Sequence, residues 1–196
     1  MADTKNISIS QILRSKESVF TFSEILLAFS KKDPKLLRQQ LHYYVKKGEL
    51  YHLRRGIYAK DKNYNKFELA TKIYTPSYIS FETVLVEAGI IFQHYTTIFV
   101  ATYQTKEIIC DNQIYSFRKI KDTILTNTTG IENKGTYFSA TKERAFLDMI
   151  YLNKEYYFDN LAPLDYEKIN KILPIYNNKR MIKTVTRYFK NFRKNG

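Results

Sequence analysis

Residues 33–59 constrain the fold more tightly than any other stretch of the chain. Asp33 can accept the free amides of a helix start, Pro34 suits the first helical position because its missing N–H has no helical partner there, and Gly48 supplies a stop. The spacing predicts a helix over residues 34–47. At about 100° per residue, Leu37, Leu41 and Tyr44 fall on one side, while Lys35, Arg38, Gln39, His42 and Lys46 gather on the other. Residues 49–59 then give two short apolar and aromatic runs around Arg54-Arg55-Gly56, which reads as a hairpin with glycine in the turn and two arginines at the tip.

Two further helices are expected ahead of this segment. Ile9, Ile12 and Leu13 recur at helical spacing within residues 7–15, and the pattern breaks at residues 15–18. Thr21 with Glu24 forms a capping box that opens a second helix through Ile25, Leu26, Leu27 and Phe29. Three short helices followed by a basic hairpin is the order of a winged helix-turn-helix, here expected to fill residues 1–62. In that arrangement Arg38, Gln39 and His42 can bond base edges of double-stranded DNA, and Lys35 and Lys46 suit phosphates. His52, Arg54 and Arg55 belong to the wing, which lies against backbone or minor groove.

Charge follows the same division. The chain carries 32 Lys and Arg against 19 Asp and Glu, a formal +13, which fits a polyanionic partner. Residues 1–62 and 175–196 each hold a net +7, and the intervening residues hold −1. The ends are basic and the middle is neutral. The N-terminus lacks the apolar core of a signal peptide, and no run approaches the ~18 apolar residues of a membrane span, so a cytoplasmic protein is expected.

Residues 63–196 read as a mixed α/β domain, which makes the whole chain α+β. Helical patterns occupy residues 66–74 and 81–88, the latter ended by Gly89, with a short strand or turn at residues 76–80 between them. Alternation marks strands at residues 98–103, 106–110 and 113–117, with Asp111-Asn112 as a hairpin turn and a last strand at residues 135–138. These predict a short antiparallel sheet. Ala140-Thr141-Lys142-Glu143 then opens a helix that runs through Leu152.

Chemistry-bearing patterns are sparse in this segment. It has no glycine-rich phosphate loop, no GxSxG, no HExxH and no Asp-x-Asp pair. Glu143, Arg144 and Asp148 share one helix and read as a helix-start charge and an acid paired with an arginine; His94 reads as an ordinary loop or surface histidine. One cysteine, Cys110, and three scattered histidines offer no metal-ligand set. We therefore expect no enzyme activity, no cofactor and no metal.

The last 20 or so residues form a two-sided basic helix over about residues 178–194. Met181, Ile182, Val185, Tyr188, Phe189 and Phe192 make an apolar stripe, and Lys179, Lys183, Arg187, Lys190 and Lys194 lie opposite. An aromatic-rich stripe of this kind is expected to dock on the protein's own core or a partner, not on a membrane, leaving a second basic surface.

In order as well as in motif, the sequence resembles the AbiEi family of antitoxins from type IV toxin-antitoxin systems of the AbiE abortive-infection type. Arg54-Arg55-Gly56-Ile57-Tyr58 is similar to the family's Arg-Gly-x-Tyr. A helix from Phe67-Glu68-Leu69-Ala70 leads into residues 74–83 (YTPSYISFET), similar to its Pro-Ser-Tyr-x-Ser-x-Glu-Ser segment. Residues 140–148 (ATKERAFLD) are similar to its (Ser/Thr)-Pro-Glu-(Lys/Arg)-Ala-x-x-Asp helix, with Lys142 in place of the proline. The resemblance spans about residues 7–155 and does not reach the basic C-terminal helix. It implies a winged helix that represses its own promoter at inverted repeats. It also implies a following domain that counteracts a nucleotidyltransferase-like toxin without a stable complex. A stand-alone winged-helix regulator and a nucleic-acid-processing enzyme are the competing readings.

Overall fold

The computed structural model describes residues 9–28 and 33–195, and the chain divides into two compact units, Met1–Ile73 and Tyr74–Gly196. Ile7 and Phe29, expected in the first two helices, lie outside the described residues.

The first unit runs α1 (Ile9–Arg14), β1 (Val19–Thr21), α2 (Phe22–Ala28), α3 (Pro34–Lys46), β2 (Tyr51–Arg54), β3 (Ile57–Ala59) and α4 (Lys66–Ile73). The strands form one antiparallel sheet in the order β1-β3-β2, with Val19 opposite Ala59 and Tyr51 opposite Ala59 on the other side. The expected caps are in place. Thr21 Oγ1 accepts from the Glu24 amide at 3.2 Å and Glu24 accepts from the Thr21 amide at 2.7 Å, which closes the start of α2. Ile12, Phe20, Ile25, Leu37, Leu41 and Leu50 make a buried cluster, so all three leading helices and the sheet share one core.

α4 belongs to this unit, although the expected boundary fell after residue 62. The reason is a buried carboxylate: Glu68 is shut off from solvent and accepts from the Ser18 amide (3.0 Å), the Ser18 hydroxyl (2.7 Å) and the Val19 amide (3.2 Å). One turn on, Lys72 reaches Glu17 at 2.9 Å and Glu24 at 3.0 Å. A helix tied to β1 by its own acid cannot leave without stranding that charge.

The second unit is also α+β. It runs β4 (Ser77–Ile79), α5 (Glu82–Glu87), β5 (Ile98–Thr102), β6 (Lys106–Cys110), β7 (Gln113–Lys119), α6 (Asp122–Leu125), β8 (Ile131–Asn133), β9 (Phe138–Ala140), α7 (Lys142–Leu152), α8 (Tyr166–Ile172), a 3-10 turn at Leu173–Tyr176, and α9 (Lys179–Asn195). Its six strands take the order β6-β7-β5-β4-β9-β8. The expected antiparallel sheet is mixed instead: β5 runs parallel to β7, with Ile98 opposite Tyr115, and β4 runs parallel to β9. Residues 103–105 carry the chain past the lane beside β5, and the turn at Asp111-Asn112 brings β7 back into that lane. All five residues of β5 are buried, and a strand covered on both faces and both edges suits the parallel pairing. The turn itself is as expected, with φ of +50° and +60° at Asp111 and Asn112. The last expected strand lies at Phe138–Ala140, because Gly135 (φ +91°) is used in the turn after β8.

Candidate nucleic-acid interface

The presentation of α3 begins at its first residue. Asp33 accepts the Lys35 amide at 2.8 Å, Pro34 occupies the first turn, and the helix closes on Gly48 at φ +73° with the Glu49 amide on the Tyr44 carbonyl at 2.9 Å. Leu37 and Leu41 are buried and Tyr44 packs against the same cluster. That anchors one face, and Lys35, Arg38, Gln39, His42 and Lys46 are all exposed on the remainder, as the helical projection requires. Arg38 is held rather than loose, because its guanidinium sits 4.8 Å over the Phe22 ring. Burial pushes the Tyr58 phenol up and the Arg38 charge draws it back.

Leu36 and Tyr43, absent from the expected set, are also exposed on α3, and Lys47 lies 4.6 Å over the Tyr43 ring. An exposed leucine and tyrosine beside Gln39 and His42 give the helix apolar contact area as well as polar groups. Their seven-residue spacing, off the Leu37–Leu41 face, was the available signal.

The hairpin separates its two arginines. β2 and β3 pair with a shift between His52 and Arg54, so Arg54 lies opposite Ile57 while His52 lies opposite Tyr58. Gly56 turns at φ +74° and its carbonyl accepts the Phe22 amide at 2.7 Å, fixing the turn to the start of α2. Arg55 is exposed at this turn. Arg54 is half-buried, and its Nη1 is shielded from solvent with no hydrogen-bond partner among the described residues. His52 is exposed with its ring 5.3 Å from that of Tyr58. Sequence treats Arg54 and Arg55 alike; the shift in register is what distinguishes them.

In the second unit Arg144 and Asp148 are both fully buried on α7 and paired at 3.2 Å. Asp148 Oδ2 accepts from the Tyr78 hydroxyl (3.0 Å) and the Ser80 hydroxyl (2.8 Å), and Oδ1 accepts from the Tyr176 hydroxyl (2.6 Å). Arg144 also donates to Tyr78 Oη and to the carbonyls of Ile124, Thr129 and Asn127. Burial pushes the Asp148 carboxyl up, and Arg144 and the hydroxyl donors pull it back down. Burial and the Asp148 charge hold the Tyr78 and Tyr176 phenols well above their ordinary range, so they remain donors. Tyr78, Ser80, Arg144 and Asp148, which carried much of the family resemblance, are thus one buried polar knot. Glu143 is buried beside it and accepts the Asp165 amide at 3.3 Å. His94 is exposed.

α9 packs its apolar side on the same unit: Met181, Val185 and Phe189 are buried, and Phe189 lies 4.8 Å from Tyr166 and 6.1 Å from Phe146. Ile182, expected in the stripe, is 53 % exposed, because the buried arc centres on Met181, Val185 and Phe189 with Thr184 beside them. Lys179, Lys183, Arg187 and Lys190 are exposed. The side chains of Phe192 and Lys194 lie outside the described ones. Arg180, which sequence reasoning passed over, donates to the carbonyls of Ile150, Tyr151 and Asn153 and so caps the end of α7.

Among the described residues no helix is long and apolar enough to cross a membrane, and no group of three or more His, Cys, Asp or Glu is placed to hold a metal ion. No protein-family model matches this chain, and no curated protein matches it in sequence.

Proposed function

We propose that the first unit is a winged helix-turn-helix that binds double-stranded DNA, with α3 in the major groove and the β2–β3 hairpin as the wing. The observation that carries this reading is the pairing, in one unit, of an anchored helix with a solvent-facing Lys35-Arg38-Gln39-His42-Lys46 face and a hairpin tipped by exposed Arg55. The strand order β1-β3-β2 behind three helices supports it. Arg and Gln side chains on the first turns of such a helix reach base edges, and lysines take phosphates.

By the resemblance to AbiEi antitoxins, the chain represses its own promoter at inverted repeats, and its second unit counteracts a nucleotidyltransferase-like toxin without a stable complex. It acts in the cytoplasm, as a regulator and not as an enzyme. In support, both oxygens of Asp148, the most acid-like candidate for chemistry, are consumed by internal donors. Winged-helix binding and antitoxin activity are separable by co-expression with the neighbouring gene, using the full chain, a chain with Gln39→Ala and Arg55→Ala, and a chain with Arg144→Met. The expected result is that the first variant loses repression of a promoter fusion yet still rescues growth, while the second keeps repression and loses rescue. Repression without any toxic neighbouring gene would replace the antitoxin with a stand-alone regulator. Loss of neither activity in either variant would defeat both assignments.

A further inference from the structure

We infer that the exposed face of α9 is a second DNA contact, a sequence-independent one that grips the phosphate backbone of double-stranded DNA. The inference rests on the DNA-binding reading above for the choice of polyanion. Its own grounds are charge and geometry.

Lys179, Lys183, Arg187 and Lys190 recur every three or four residues on the solvent side of α9, so they form one stripe. No acidic residue occurs anywhere in Lys179–Asn195, and among the described residues none of the four makes an ion pair. A helix whose surface charges served only solubility would mix signs. Arg180, by contrast, has its guanidinium turned inward onto the end of α7, so the helix separates a structural cation from four solvent-facing ones.

At about 1.5 Å of rise per residue the stripe extends roughly 16 Å, a length over which each strand of duplex DNA carries about five phosphate charges. The opposite side of α9 is already spent: Met181, Val185 and Phe189 are buried in the unit's own core, with Tyr188 donating to the Tyr156 carbonyl. An amphipathic helix binds a bilayer by inserting such a face. With that face buried, only the electrostatic half of the helix is on offer, which suits a phosphate backbone and not an acyl interface.

The test compares the full chain with a Lys179→Gln, Lys183→Gln, Arg187→Gln, Lys190→Gln variant, using a promoter duplex and a scrambled duplex across about 50 to 200 mM salt. The expected result is a log–log salt slope flatter by about 0.9 for each phosphate that is no longer neutralised, approaching 3 to 4 in all, with both duplexes weakened by the same factor. Replacing Lys179, Lys183 and Lys190 by arginine instead should keep the wild-type slope. Circular dichroism melts that coincide for all proteins establish that the fold is intact. An unchanged slope in the glutamine variant overturns the inference while leaving the winged helix standing. The same holds if the variant loses only co-sedimentation with phosphatidylserine vesicles. If the wild-type chain binds neither duplex at low salt, the DNA reading and this inference fall together.

Discussion

Replacing Arg144 by methionine removes a guanidinium that makes five internal hydrogen bonds, one to Asp148, one to Tyr78 and three to backbone carbonyls. Methionine fills much of the volume, so the cost comes from the polar atoms left behind. Removing one partner of a fully buried ion pair costs about 3 to 5 kcal/mol, against about 5 to 15 kcal/mol for a whole domain. The size of the loss depends on pH. Without Arg144, burial drives the Asp148 carboxyl further above its ordinary value, and a protonated Asp148 no longer needs a counter-charge. A carboxyl raised in the folded state gives stability that is present below its unfolded pKa and lost as pH rises through the folded one. The variant should therefore be least impaired in acid and lose up to about 1.4 kcal/mol per pH unit across that window. The chain has no tryptophan, so urea unfolding is followed by far-ultraviolet circular dichroism at several pH values. Adding Asp148→Asn should recover part of the loss, with a coupling of about 0.5 to 3 kcal/mol. A cost under about 1 kcal/mol that does not vary with pH, or strictly additive variants, would refute the view that this pair holds the unit together.

A Cβ at Gly130 would lie 2.8 Å from Ile172 Cδ1 and 3.0 Å from Arg144 Cβ, at a backbone φ of +77°. Gly130→Ala should therefore destabilise the second unit by about 2 to 4 kcal/mol in the same urea assay. Tyr78 and Tyr176 titrate well above the ordinary tyrosine range. Their contribution is whole below about pH 10 and falls by about 1.4 kcal/mol per pH unit for each phenol above it; Tyr78 and Tyr176 should be among the tyrosines that ionise only as the unit unfolds, read from tyrosinate absorbance. Glu68→Gln turns an acceptor of three donors into a partial donor, so it should cost about 1.5 to 3 kcal/mol. Hydrogen exchange should show weaker protection at the Ser18 and Val19 amides, with amides of the second unit unaffected.

What could be read from sequence was local. Asp33-Pro34, Thr21 with Glu24, and Thr141 each announce a helix within three residues, and each cap is formed in the structure. The exposed face of α3 follows from helical period once Leu37 and Leu41 are known to be inside. Non-local pairings escaped. Alternation identifies β5 and β7 as strands but says nothing of their partners, and both strands would carry the same pattern in either direction. Glu68 sits fifty residues from Ser18, so only the folded chain reveals why α4 stays with the first unit. Arg54 and Arg55 differ by a register shift that their own spelling does not encode, and Arg180 is one more basic residue until the end of α7 arrives beside it.

The most direct test of DNA recognition by the first unit is an anisotropy titration at fixed salt. It measures the affinity of the full chain for its promoter duplex relative to a scrambled one, before and after Gln39→Ala and Arg55→Ala taken singly. The wild-type preference for the promoter should be at least about 10³-fold. Gln39→Ala should cut that preference by the about 1 to 3 kcal/mol of a base contact, and Arg55→Ala should weaken both duplexes alike. Equal wild-type affinity for the two duplexes, or a preference untouched by Gln39→Ala together with binding untouched by Arg55→Ala, would contradict recognition through α3 and the hairpin.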